Sequence, residues 1–563
     1  MDTLPYTILE DIIDLARFGQ IVTLHEATGT VYVARKSSIA NIAAVNNTFR
    51  HIAERKTFEE LQLTAGSLPR AYKILSRYGR FAYVKHITFV VLLPRYDQEA
   101  CTRYETAEEK IDNSQMFTQC VELLFSFLRV WPRIWMSQDT ALCLSLEVNS
   151  PTDLIEMEHT DLNEEHSEVR WCPIRGVRKQ FGVAIEGDCF QWRYIRSTLN
   201  LTRDTLSSTY RVRLPISHFE VSPFTHRFIG GASLNTITSA LDIPALKSVM
   251  WEIGDCEKKD LAHAARAIDD LPALDQVTLC FEHHLPLDHD FNPAVVHDPN
   301  SRSDPVSCAL RRVTQRSKVV RFGGVLGSTE LFWPIDRSPE SEAPQWELLE
   351  SLTIDYHIAT PDGRWMFTSD EDMPQIHGSH HILLEHEPKA ERAEEDAEPY
   401  QWRHKAIPKI MDTFYLRAAQ AMANMPKLQA MKLVAMNLPS SDHTKGGENF
   451  THKFSFIVGE NRRASALWET SRSYLPSRQV RRAWEKSAYE RSLEVECRVR
   501  CYPTASEEDY DYHSDTDNDD YDDDDADYDD DDYDDDDYDD DDYEEEEEEE
   551  EEYEEDEDDE DDE

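Results

Sequence analysis

A short apolar triplet recurs along this chain and narrows the architectures open to it. One apolar residue is followed at +3 and +5 by two more. The copies are Phe58/Leu61/Leu63, Val84/Ile87/Phe89, Leu246/Val249/Trp251, Leu274/Val277/Leu279, Leu349/Leu352/Ile354 and Leu428/Met431/Leu433. Residues two apart point to the same side of a strand, so the last two members of each triplet predict one strand face. The first member anchors the turn that leads in. Helix-forming segments precede several copies, at 71–78, 262–268 and 416–424. Pro244, Pro272 and Pro426 each stand two residues before the first apolar position. A proline there cannot continue a helix, so the chain must turn. The unit is a helix, a turn and a strand, which predicts an α/β body.

The spacing adds a second constraint. Phe58 to Val84 is 26 residues and Leu246 to Leu274 is 28, both within the roughly 20–29 expected of leucine-rich repeats. Leu274 to Leu349 is 75 and Leu349 to Leu428 is 79, close to three units or to one unit with long loops. The unit resembles a degenerate leucine-rich repeat without the Asn of the strict form. The resemblance implies an irregular leucine-rich-repeat-like solenoid over 65–503. The other reading is an irregular α/β domain without regular curvature.

The first 64 residues have a different pattern. Ile8, Leu9, Ile12 and Ile13 share one side of a helix, and Pro5 suits its first turn. Ile42, Val45, Phe49 and Ile52 mark a second helical face. The opening Leu4-Pro5-x-x-Ile8-Leu9, the pair Phe49-Arg50 and the closing Leu61-x-Leu63 resemble an F-box. Residues 19–38 form an insert where most F-boxes have a short acidic turn. Thr23, Thr28, Thr30, Val31 and Val33 suggest a loop or small hairpin there. The resemblance implies docking to the adaptor of a cullin-type ubiquitin ligase through Leu4, Pro5, Ile8, Leu9, Ile12, Ile13, Val45 and Phe49. The body would then present a surface to an unknown protein substrate, with no catalysis of its own. The layout is similar to the F-box-like families of filamentous fungi. An ordinary helical cap opening a larger domain is the alternative.

Charge divides the chain sharply. The formal net charge of −54 over 563 residues is carried mostly by the last stretch. Residues 507–563 hold 44 Asp or Glu and no Lys or Arg, which leaves −10 for residues 1–506. With little apolar surface to offset ordering entropy, the Asp/Glu/Tyr tail 504–563 is expected to be disordered. Dense negative charge attracts basic partners, so an acidic-tailed nuclear binder or chaperone of basic proteins such as histones is a second expectation. Residues 461–501 carry ten Lys or Arg against five acids. Val480, Trp484 and Ala488 lie on one face of a helix there, followed by a strand over 493–499. An excess of five charges beside an acidic tail disfavours nucleic acid as the partner.

Little points to chemistry. Ten cysteines are scattered, and Cys497 and Cys501 are the closest pair, without zinc-type spacing. Histidines cluster near Cys280 (His283, His284, His289, His297) and at His377, His380, His381 and His386. Both stretches read as loops rather than metal sites. Gly323-Gly324-x-x-Gly327-Ser328 lacks the Lys of a phosphate loop and reads as a turn. No catalytic, cofactor or metal residues are assigned. Short apolar runs exclude a spanning helix. The absence of an apolar leader leads to the expectation of reduced thiols in a cytoplasmic or nuclear protein.

Overall fold

The computed structural model describes residues 21–26, 29–34, 46–97, 100, 103–131, 141–150, 197–202, 212, 214–221, 227–241, 243–254, 258–282, 292–293, 295–296, 303–335, 343–368, 403, 405–436, 452–471 and 474–502. Its strands in chain order are β1 (Ile21–Glu26), β2 (Gly29–Ala34), β3 (Glu60–Thr64), β4 (His86–Leu92), β5 (Leu142–Asn149), β6 (Thr198–Leu199), β7 (Ile216–Val221), β8 (Phe228–Ile229) and β9 (Ser248–Gly254). They continue as β10 (Gln276–Glu282), β11 (Val319–Leu326), β12 (Ser351–His357), β13 (Phe367–Thr368), β14 (Lys405–Ala406), β15 (Ala430–Met436), β16 (His452–Val458), β17 (Arg463–Ser471) and β18 (Glu494–Tyr502). The helices are α1 (Asn47–Phe58), α2 (Leu68–Leu75), α3 (Ala107–Arg129), α4 (Gly231–Ser239), α5 (Lys258–Asp269), α6 (Pro305–Arg316), α7 (Pro408–Met422) and α8 (Arg478–Glu490).

One large, mostly parallel sheet organises these elements. Its order is β18-β17-β16-β15-β12-β11-β10-β9-β7-β5-β4-β3. From β3 to β15 every neighbour pair is parallel and follows chain order, without the strand-order reversal of a doubly wound sheet. β16 runs antiparallel to both β15 and β17, and β18 returns parallel to β17. The expected α/β class therefore holds.

The triplet explains the register. Leu61 pairs with Ile87 and Leu63 with Phe89. Val249 and Trp251 pair with Val277 and Leu279, and Leu352 and Ile354 with Met431 and Leu433. All these side chains except half-buried Leu61 are buried. Each strand thus offers two apolar side chains to one continuous layer. At the entry to the strands, backbone bonds repeat as well. Lys247 N–H donates to Ser217 O, Asp275 N–H to Lys247 O, Val319 N–H to Asp275 O, and Glu350 N–H to Lys318 O, at 2.7–3.0 Å. The prolines act as expected: Pro272 and Pro426 follow the ends of α5 and α7 within four residues.

Local chemistry sets the helix ends. Asn46 Oδ1 accepts from Phe49 N–H at 2.9 Å to cap α1. Thr106 and Glu109 form a capping box on α3, Asp304 caps α6, and Ser477 caps α8. Val480, Trp484 and Ala488 are buried on α8, as their spacing predicts. The hairpin expected within 19–38 is present as the antiparallel pair β1–β2.

Several features depart from expectation. Leu61-x-Leu63, read also as the close of an F-box, lies in the first strand of the large sheet. Gly323-Gly324 is not a turn but a bulge within β11, where the pairing with β12 shifts between Phe322 and Val325. Gly324 has φ +66, and a Cβ there would stand 2.0 Å from Phe281 O. Gly324→Ala should therefore cost more than about 1 kcal/mol of unfolding free energy, measured by urea denaturation. The residues of the acidic tail lie outside the described residues.

Candidate interaction surface

The strand positions that alternate with the apolar layer form the opposite face of the sheet. The register carries one row across it: Ser145, Glu220, Met250, Thr278, Arg321, Thr353 and Lys432. At about 4.8 Å per strand this row spans roughly 29 Å. Ser145 is buried, Arg321 and Lys432 are exposed, and the others lie between. The face is mostly polar where the other, packed in the core, is apolar.

Its charges are partly paired. Ser145 Oγ donates to Glu220 Oε1 at 2.7 Å, and His86 Nε2 lies 3.9 Å from the same oxygen. Arg321 Nη2 reaches Asp355 Oδ2 at 3.3 Å. Glu469 takes Lys453 at 2.9 Å and Arg500 at 3.2 Å. The more exposed of these pairs contribute little to stability, whereas Glu469 is buried and holds both its cations at the edge of the core.

The thiols on this face are not activated. Burial, then the charge of Glu252, pushes Cys280 up to about 11. Burial, then Glu220, raises Cys143. Both remain protonated near neutrality, the wrong state for a nucleophile. Among the described residues, no group of three His, Cys, Asp or Glu is placed to hold a metal ion. No helix among them is long and apolar enough to cross a membrane.

A cavity of about 500 Å³ opens beyond the carboxyl ends of β11 and β12, lined by Gly327, Thr360, Asp362, Arg364, Met366, Lys409 and Phe414 among others. The carboxylates in its wall are engaged. Glu330 accepts from Asp304 N–H at 2.5 Å and from Ser303 Oγ at 2.8 Å. Arg311 Nη1 donates to Glu330 O. Burial acts to raise Asp362, but bonds from Arg364 and Thr360 outweigh it and hold the carboxyl below its ordinary value. These bonds fix the loop after β11 to α6 and the loop after β12 to itself.

Residues 401–517 match a family of unknown function (DUF6546). None of the curated proteins matches the chain. The DUF6546 segment takes in α7, α8 and β15 to β18, the end of the sheet where direction reverses. Its interior is aromatic. Tyr415, Phe454, Trp468, Tyr474 and Trp484 are all buried, with Phe454 and Trp484 centroids 4.4 Å apart. His452 lies among them, with Nε2 3.0 Å from the Tyr415 hydroxyl.

Of the residues expected to dock an adaptor, Leu4, Pro5, Ile8, Leu9, Ile12, Ile13 and Val45 lie outside the described residues. Phe49 lies on α1 and is 7% exposed, beside buried Ile52 and Ala53. Both histidine clusters lie outside the described residues, while Cys280 is on β10. Sequence reasoning missed Glu220 and Arg321 because it missed β7 and β11. Ile216/Phe219/Val221 meets the triplet rule and was a readable signal. Ser317 breaks it ahead of Val320 and Phe322.

Proposed function

We propose that this chain is a non-catalytic interaction protein, the substrate-recognition subunit of a cullin-type ubiquitin ligase. The N-terminal region docks the ligase adaptor, and a leucine-rich-repeat-like body holds a protein substrate on the polar face of its sheet. The observation that carries this reading is the run of parallel strands in chain order, each giving an apolar pair to one side and polar side chains to the other. A repeat array produces that arrangement, because each unit pairs with its sequence neighbours. The F-box resemblance supplies the adaptor.

A pull-down with purified adaptor tests it. The full chain should bind, and Ile8→Asp with Ile12→Asp should weaken binding by at least about tenfold. Lys432→Glu, on the sheet, should leave adaptor binding unchanged. Equal binding by the Ile8/Ile12 variant would remove the adaptor role. The 44 acids of residues 507–563 favour a second reading, a binder of basic proteins such as histones. Under it, histone capture depends on that segment and vanishes at high salt, whatever the state of Ile8 and Ile12.

A further inference from the structure

β18 ends the sheet. It pairs with β17 on one side, and no strand among the described residues pairs with the other. The outward-facing backbone of this nine-residue strand meets no partner strand among the described residues, and such an edge is a template for another strand. Native edges are often blunted by charge of one sign. This edge is different: it reads Glu494-Val495-Glu496-Cys497-Arg498-Val499-Arg500, with acids before Cys497 and bases after it at mirrored positions.

We infer that β18 is a dimerisation edge, pairing antiparallel with β18 of a second copy of this chain about a two-fold axis at Cys497. In that register Glu494 faces Arg500 of the other copy and Glu496 faces Arg498. Val495 faces Val499, and Cys497 faces its own counterpart. Symmetry doubles each unlike pair, giving four directly opposed Glu–Arg contacts across the edge and no directly opposed like charges. Directly opposed side chains stand with Cβ atoms about 4.5–5.5 Å apart, within reach of ion pairing.

The alternatives are worse. Centring the axis on Arg498 or Glu496 sets that charge against itself. Slipping by one residue sets charged positions opposite apolar ones and turns the second sheet over. The charged side chains lie at the surface, with Glu494 84% exposed beside Arg463, Glu496 62% and Arg498 64% exposed and paired with each other, and Arg500 61% exposed on Glu469, so pairing across the edge would exchange these exposed contacts for new ones. Val495, Cys497 and Val499 are half-buried against the core on the other face, so pairing would extend the apolar layer from one copy to the next. The interface is isologous and closes on itself.

Sedimentation velocity of the full chain tests this at about 0.15 M salt, where exposed charges beyond roughly 8 Å are screened. The expected result is a shift from the 65.3 kDa monomer to twice that mass as concentration rises from nanomolar to tens of micromolar. Arg498→Glu with Arg500→Glu makes the edge wholly acidic, and Glu494→Lys with Glu496→Lys makes it wholly basic. Each double variant alone should be monomeric, and an equimolar mixture should regain a one-to-one dimer. A native chain that stays monomeric overturns the inference. So does a dimer that survives in both double variants, or a mixture of folded variants that does not associate. Should a variant fail to fold, hydrogen exchange on the native chain decides: backbone amides of Glu494–Tyr502 should gain protection as concentration rises, and unchanged exchange overturns the inference.

Discussion

As the pH falls from 6.5 toward 5 the folded chain should lose stability along a slope that steepens toward about 3 kcal/mol per pH unit, the limit for two buried histidines. Burial pushes His357 down to about 4 and His452 down to about 3, while an unfolded imidazole takes its proton near 6.5. Below pH 6.5 the unfolded chain therefore binds two protons that the folded chain refuses. The stabilisation is complete above 6.5 and is lost as the pH falls, until each ring protonates in place. Among the described residues His452 pairs with no carboxylate: its Nε2 meets the Tyr415 hydroxyl, and Phe367 and Tyr474 pack on the ring. Urea midpoints at pH 7, 6 and 5 measure the slope above the ordinary carboxylate range. His452→Gln keeps an acceptor for Tyr415 and should halve it. A slope that does not change would remove His452 as its source.

Arg227→Met should cost about 3–5 kcal/mol, since it strands a charge in the interior. Arg227 and Glu105 are each 1% exposed, with Nε 3.0 Å from Oε1. Ser197 Oγ donates to Oε2 at 2.7 Å and Asn113 Nδ2 to Oε1 at 3.1 Å. The carboxylate thus ties together the entry to α3, the residue before β6 and the residue before β8. Removing the guanidinium leaves two neutral donors facing a buried anion. Glu105→Gln with Arg227→Met removes both charges and should recover most of the loss, because desolvating a pair offsets much of its attraction. A double variant as unstable as the single one would show that packing, not charge, carries the site. Urea denaturation of the single and double variants measures both.

The α/β class was legible because its signal repeats. Six separate triplets, each weak, agree with one another, and the backbone turns each pair to the same face. α8 was legible for a related reason: Val480, Trp484 and Ala488 recur at helical spacing amid charge. The strands without a clean triplet were not. β11 begins after Ser317, and its Gly323-Gly324 bulge reads as a turn until the register with β12 is known. The antiparallel return of β16 depends on which strand lies alongside, and no local residue encodes that. α6 is hidden in the sequence because Pro305, which starts it, closes a polar stretch and looks like a loop residue. Proline at the first helical position and proline in a loop look alike until Asp304 is recognised as a cap. The polar face was the least legible part. Its residues are the ones the triplet rule leaves unspecified, and they become a surface only when strands far apart in sequence are set edge to edge.

The backbone bonds that repeat at the entry to the strands have a consequence for how such a chain changes length. Asp275 accepts from Val319 and donates to Lys247, so these entry bonds fasten each rung to the one before and the one after. A segment added or lost as one whole rung would leave the other entry bonds intact. The same alteration in a doubly wound sheet would cut through the middle of its strand order. Growth and shortening by rungs is thus the variation this architecture absorbs with least rearrangement.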